Sequence, residues 1–307
     1  PGQEIKKGDV MVITGKERVS IPYLFRVKEQ GEKITVLTAY DFPTARILDD
    51  CGIDIILVGD SVGMAVLGYE TTLPVTMEVM IHHTQAVVRA RRRALVVGDM
   101  PFLSFHLSLA DSIFNAGRFI KEAGADAVKL EGASPRRLEL VEALVEAEIP
   151  VMGHVGLTPQ SIRKMGGFKV QGTEGEKAEE IYRGALALEK AGAFAVVLES
   201  VPEELAAEIT KSLKIPTIGI GAGPYCAGQV LVVNDMLGYS TGYMPKFVKK
   251  YADLVEIISK AVNDYITDVR QGRFPDDEHS YHLKKEIAGY WIEKLKEKLS
   301  RTDDQSQ

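Results

Sequence analysis

The sequence predicts a (β/α)8 TIM barrel, and three observations carry that prediction. Short apolar runs alternate with helical patterns from residue 34 to residue 233. Eight such runs occur, the number that a closed barrel needs. Four of them are followed at once by an acidic residue: Asp60 after IDIILVG, Asp99 after ALVVG, Glu131 after AVKL and Glu199 after AVVL. A strand buried on both faces cannot carry a carboxylate along its length without a large desolvation cost. Its tip can, where a cavity, a cation or a proton-transfer task accounts for the charge.

The elements follow in order. Residues 1–33 are polar and mixed, with one short N-terminal helix expected over SIPYLFRVKEQ (20–30), capped by Ser20 with Pro22 near its start. The strand runs are 34–40, 53–59, 94–98, 126–130, 149–154, 193–198, 216–221 and 229–233. Helical patterns lie between most of them, and Gly52, Gly124 and Gly192 close three, as helix C-termini prefer. Ser134 and Pro135 make a favourable helix entry. No G-x-G-x-x-G opens the first helix, which counts against an open dinucleotide-binding sheet. GIGAG (219–223) reads either as a close approach to a ligand or as a tight turn. A helix is expected over 246–270, a loop over 274–280, and a last helix over 283–300 with Ile287, Trp291, Leu295 and Leu299 in one stripe. That stripe packs on its own barrel or on another subunit. The organisation expected is one barrel domain, 1–282, and a helical extension, 283–307, whose tail from 301 reads as disordered.

Bulk properties narrow the function. Charged residues make up 26% of the chain and the net charge is −6, with no basic block longer than Arg91-Arg92-Arg93, so nucleic acid is not an expected partner. That block reads as a helix end, where cations suit the dipole. Two cysteines, Cys51 and Cys226, form no disulfide framework or zinc spacing. No run reaches membrane-spanning length, so the expectation is a cytoplasmic protein that acts on small molecules.

The strand tips define a chemistry. Asp60 and Ser61 follow strand two, Asp99 follows strand three, and Lys129 and Glu131 lie at strand four. His154 ends strand five and Glu199 ends strand six. All would face one mouth of a barrel. Oxygen donors without a His pair or Cys cluster suit Mg2+ rather than zinc. A cation on Asp60 and Asp99 leaves positions for a chelating 2-oxo acid and stabilises the enolate formed when the adjacent C–H is lost. Ser61 can donate to the substrate carboxylate, and Lys129 can place positive charge beside the enolate. Glu199 is the candidate proton acceptor, and His154 can orient substrate or assist the proton. Each residue also has a plainer reading. The aspartates can be turn formers, Lys129 can serve only to neutralise Glu131, and His154 can be a core histidine. Agreement among the strand tips favours the site.

Longer stretches carry a family resemblance. LTAYDFPTARILDDCGIDIILVGDSVGMAVLGYETTLPVTMEVMIHHTQAV (37–87), ALVVGDMPFLSF (94–105), AVKLEG (127–132), GHVGLTPQS (153–161) and GGFKVQG (166–172) occur in this order. They continue as LESVP (198–202), GIGAG (219–223) and FVKKYADL (247–254). With these, the chain resembles the ketopantoate hydroxymethyltransferase family over about residues 20–282. The resemblance implies a barrel of the phosphoenolpyruvate/pyruvate type and Mg2+-dependent hydroxymethyl transfer. The acceptor would be 3-methyl-2-oxobutanoate, the donor 5,10-methylenetetrahydrofolate or a related pterin, and the product 2-dehydropantoate, in the first committed step of pantothenate synthesis. It implies Asp60, Asp99 and Glu131 at the metal, Asp60, Ser61, Asp99 and Lys129 at the substrate, and Glu199 as proton acceptor. It also implies a homo-oligomer, commonly a decamer. The chain departs from the family pattern at Ala227 and Asn234, and in the extension past residue 283. Two other readings compete: a Mg2+-dependent C–C lyase of the same superfamily, and a non-catalytic 2-oxo-acid sensor. The first lacks its usual Cys-containing loop, and the second has no use for Glu199.

Overall fold

A computed structural model describes residues 17–165, 167, 169–240 and 244–303. Eight parallel strands close in chain order: β1 (Ile34–Thr38), β2 (Ile55–Val58), β3 (Leu95–Asp99), β4 (Ala127–Lys129), β5 (Val151–Gly156), β6 (Ala195–Glu199), β7 (Thr217–Ile220) and β8 (Gly228–Leu231), which pairs back onto β1. Seven of these strands lie within or one residue beyond a run expected from the sequence, and β5 runs two residues past its expected end at 154. The helices are α1 (Ile21–Glu29), α2 (Phe42–Asp50), α3 (Val62–Ala65), α4 (Met77–Ala90), α5 (Leu109–Lys121), α6 (Pro135–Glu146), α7 (Ile162–Met165), α8 (Gly175–Lys190), α9 (Glu203–Ser212) and α10 (Val233–Met236). α1 begins where its residues dictate: the Ser20 hydroxyl accepts from the Tyr23 N–H, and proline stands in the first turn.

Two apolar cores result from the alternation of side chains along each strand. Ile56, Val58, Val96, Val128, Val196 and Leu198 point out against the helices. Val36, Leu57, Leu95, Val97, Ala127, Met152, Ala195 and Val197 point in, and Leu24 and Val27 of α1 close the lower end of this interior. Continued upward, the inward positions of β3, β4, β5 and β6 are Asp99, Lys129, His154 and Glu199. Parallel pairing sets Asp99 beside Lys129 and Glu199 beside Gly156. Thus the strands are apolar below and ionisable at their C-terminal tips. Gly98, between Val97 and Asp99, lies against the Phe119 ring, which leaves no room for a Cβ.

The basic block does more than end a helix. Helix α4 stops at Ala90. Arg91 pairs with Asp126 at 2.7 Å and buried Arg93 with Asp54 at 3.1 Å, while Asp49 accepts from the N–H groups of residues 92–94. These bonds fasten the lower end of the barrel. A cavity of about 460 Å3 opens there, lined by Tyr23, Lys33, Asp54 and Arg93, at the end opposite the ionisable tips.

The chain divides into two compact units, one ending at Asp253 and one starting at Leu254. The second holds α11 (Leu254–Arg270) and α12 (Lys285–Asp303). α11 begins eight residues after the 246 expected, because residues 246–253 form turns and bends. Residues 301–303 continue α12, contrary to the disordered tail expected, and 304–307 lie outside the described residues. Among the described residues no helix is long and apolar enough to cross a membrane.

Candidate active site

The upper mouth of the barrel gathers the residues that the strand tips promised. Asp60, Asp99, Lys129, Glu131 and His154 are all buried, and the Glu199 side chain is 16% exposed at the rim. Lys129 Nζ donates to both Asp99 oxygens, at 2.8 and 2.7 Å. Its partner is therefore Asp99 on the adjacent strand, rather than Glu131 two residues along. Burial pulls the Lys129 pKa down, but Asp99, Glu131 and Asp60 outweigh it, so the ammonium is held charged.

Asp60 sits just beyond β2. Its own N–H donates to Asp99 Oδ2 at 3.4 Å, and its Oδ2 accepts from Gln160 Nε2 at 2.9 Å. Burial, and then the charge of Asp99, push its carboxyl up to about 7, against the pull of Lys129, Gln160 and Thr72. Glu131 is raised well above the ordinary carboxylate range, chiefly by burial. Its Oε2 accepts from the Gln160 backbone N–H at 3.1 Å, and its Oε1 has no hydrogen-bond partner.

His154 stands between two carboxylates, with Nε2 3.2 Å from Glu199 Oε2 and Nδ1 3.8 Å from Glu131 Oε1. Neither ring nitrogen is aligned for a hydrogen bond. Burial, and then Lys129, depress its pKa and keep the ring neutral. The tight turn above β5 makes this placement possible. Gly156 has φ +96, and a Cβ there would meet the Glu199 carbonyl at 2.3 Å. Just past Glu199, Ser200 takes φ 48, a left-handed turn rare for a residue with a side chain. Ser61 is half-buried, and its Oγ lies 2.8 Å from the Tyr40 hydroxyl.

Sequence reasoning missed three members of this mouth: Gln160, Tyr40 and Thr72. Gln160 stands in the GHVGLTPQS stretch, on the turn after β5, and its side chain also donates to the Met100 carbonyl at 2.9 Å. It thereby ties the tips of β2, β3 and β4 together. Tyr40 was legible as a polar aromatic at the tip of the first run. Thr72, buried in the long loop before α4, carried no signal. Of the two departures, Ala227 joins strand edges by accepting from the Ile34 N–H, and Asn234 donates to the Ala65 carbonyl at 3.5 Å.

The donors suit a hard divalent cation. Among the described residues the buried carboxyl groups Asp60, Asp99 and Glu131 face one buried ammonium, Lys129, which pairs with Asp99; Asp60 and Glu131 are held toward their protonated forms, and a divalent cation would take the place of those protons. Glu131 Oε1 and Gln160 Oε1 are buried acceptors without donors. Among the described residues no three or more His, Cys, Asp and Glu side chains converge as a metal cluster. The unpaired oxygens of Glu131 and Gln160, beside Asp60 and Asp99, are the hard donors that a cation such as Mg2+ takes.

The chain is 59% identical over 270 residues to the 3-methyl-2-oxobutanoate hydroxymethyltransferase of Thermoanaerobacter sp. (strain X514), covering 88% of this chain and 98% of that one. It is 58% identical over 256 residues to the enzyme of the same name from Geobacter metallireducens, covering 83% and 96%. In fold it is similar to phosphonopyruvate hydrolase, solved with oxalate and Mg2+ (TM-score 0.55, 14% identity, 92% and 98% covered). It is also similar to 2,3-dimethylmalate lyase, of the PEP mutase/isocitrate lyase superfamily (TM-score 0.54, 14% identity, 94% and 98% covered). A family model described as ketopantoate hydroxymethyltransferase matches residues 18–277, and the chain belongs to that family.

Proposed function

We propose that this mouth transfers a hydroxymethyl group to 3-methyl-2-oxobutanoate with Glu199 as the proton acceptor. The activity is that of the family, a step of pantothenate biosynthesis. The observation that carries the residue roles is the polar layer itself. Asp99, Lys129, His154 and Glu199 extend the inward register of four neighbouring strands, with Asp60 and Glu131 beside them.

Asp60, Asp99 and Glu131 are the residues that would hold Mg2+. When bound, Mg2+ supplies Lewis acidity to the 2-oxo group and so acidifies the neighbouring C3–H. Ser61 binds the substrate carboxylate. Lys129, charged and fixed on Asp99, sets a positive potential where the enolate's charge develops. Glu199 takes the C3 proton; C3 bonds to the one-carbon unit, whose two bonds to the pterin nitrogens are replaced by this C–C bond and by a hydroxyl from water, and the tetrahydropterin leaves with the two released protons on its nitrogens. His154, neutral and with Nε2 3.2 Å from Glu199 Oε2, orients substrate or assists the proton. The donor is 5,10-methylenetetrahydrofolate or a related pterin. The enzyme works as a homo-oligomer, a decamer in the family pattern, with 283–307 serving assembly rather than chemistry.

Deuterium exchange at C3 of 3-methyl-2-oxobutanoate, with Mg2+ and no pterin, isolates the proton step. Wild type is expected to exchange, and Glu199→Gln to bind the acid without exchange. Undiminished exchange in Glu199→Gln would remove Glu199 from the role.

A further inference from the structure

Tyr40 is buried at the mouth, and the roles above make no use of it. Tyr40 stands two residues beyond β1 (Ile34–Thr38) and packs in the outer core. Its hydroxyl lies 2.8 Å from Ser61 Oγ, which joins the segment after β1 to the tip of β2.

Either hydroxyl of this pair can donate to the other. With the phenol as donor, Ser61 accepts, its own hydrogen is left for the mouth, and the bond polarises it into a stronger donor. Two features hold the pair in register. A Cβ on Gly59 would meet Ser61 Oγ at 2.6 Å, so the missing side chain is what admits the hydroxyl. The Tyr40 carbonyl lies 2.6 Å from His83 Nδ1. Burial pushes the phenol pKa up to about 12, so the proton that the phenol donates stays in place.

We propose that Tyr40 is a positioning residue that aims the Ser61 hydroxyl at the carboxylate of the 2-oxo acid. The proposal rests on the reading of Ser61 as the carboxylate donor, and its test separates the two. Tyr40→Phe keeps the ring and removes the hydroxyl. Steady-state kinetics of Tyr40→Phe, Ser61→Ala and the double variant form a cycle. Ser61→Ala is expected to raise KM for 3-methyl-2-oxobutanoate about 10- to 30-fold, as loss of a hydrogen bond to a charged group does. Tyr40→Phe is expected to raise it about 5- to 10-fold with kcat moved far less, and to add nothing in the Ser61→Ala background. An unchanged KM in Ser61→Ala overturns the Ser61 reading and the proposal with it. A raised KM there with an unchanged KM in Tyr40→Phe, or independent effects in the double variant, overturns the proposal alone. If Tyr40→Phe does not fold, 3-fluorotyrosine placed at position 40 keeps the ring and hydroxyl but changes the strength of the donor, and an unchanged KM in that protein overturns the proposal.

Discussion

The charge balance at the mouth makes the metal-free protein pH-sensitive in a calculable way. Asp60 is raised from an ordinary 3.8 to about 7, first by burial and then by Asp99. The folded state therefore keeps a proton on Asp60 at pH values where the unfolded chain has lost it. Stability from this group is fully present below about pH 4 and is lost as pH rises through about 7. The slope is about 1.4 kcal/mol per pH unit, and the whole effect is about 4 kcal/mol. Mg2+ needs ionised carboxylates, so its affinity should rise with pH through about 7. Urea unfolding in EDTA at pH 5.0 and 6.5 gives the measurement. Wild type should lose about 2 kcal/mol more than Asp60→Asn over that interval. Equal pH dependence in the two proteins would refute the placement of Asp60 as a buried carboxylate beside Asp99.

Two further outcomes are expected. Gln160→Leu removes the donor that orients the Asp60 carboxylate, and should weaken Mn2+ binding, followed by electron paramagnetic resonance without substrate, about 10- to 100-fold. An unchanged affinity in folded protein would show that Gln160 serves packing alone. Removal of residues 283–307 should change the assembly seen by light scattering more than the turnover per subunit, and a correctly assembled but inactive truncation would contradict that.

Strand placement was legible because a strand covered on both faces must be apolar, and β2 and β6 show this in IILV and AVVL. The ionisable tips were legible for the complementary reason: charge breaks an apolar run only where the run ends. Partners were harder to read. Lys129 is closer in sequence to Glu131 but bonds to Asp99, since residues two apart on a strand point the same way while the neighbouring strand lies about 5 Å off. Gln160 reaches Asp60 across 100 positions, and nothing in its local sequence marks that contact. Arg93 looked like a helix end and is a buried tie to Asp54, because the chain has already left α4 when it reaches this residue.

By itself, the sequence determined which segments become buried strands and which carboxylates can stand at their tips, since burial energy and side-chain period act locally. Closure of the sheet decided the rest. Only when β8 pairs with β1 does one face of every strand become an interior, turning Asp60, Asp99, Lys129, His154 and Glu199 into neighbours with shared electrostatics. That juxtaposition depends on hydrogen bonds between residues nearly two hundred positions apart, which no local pattern encodes.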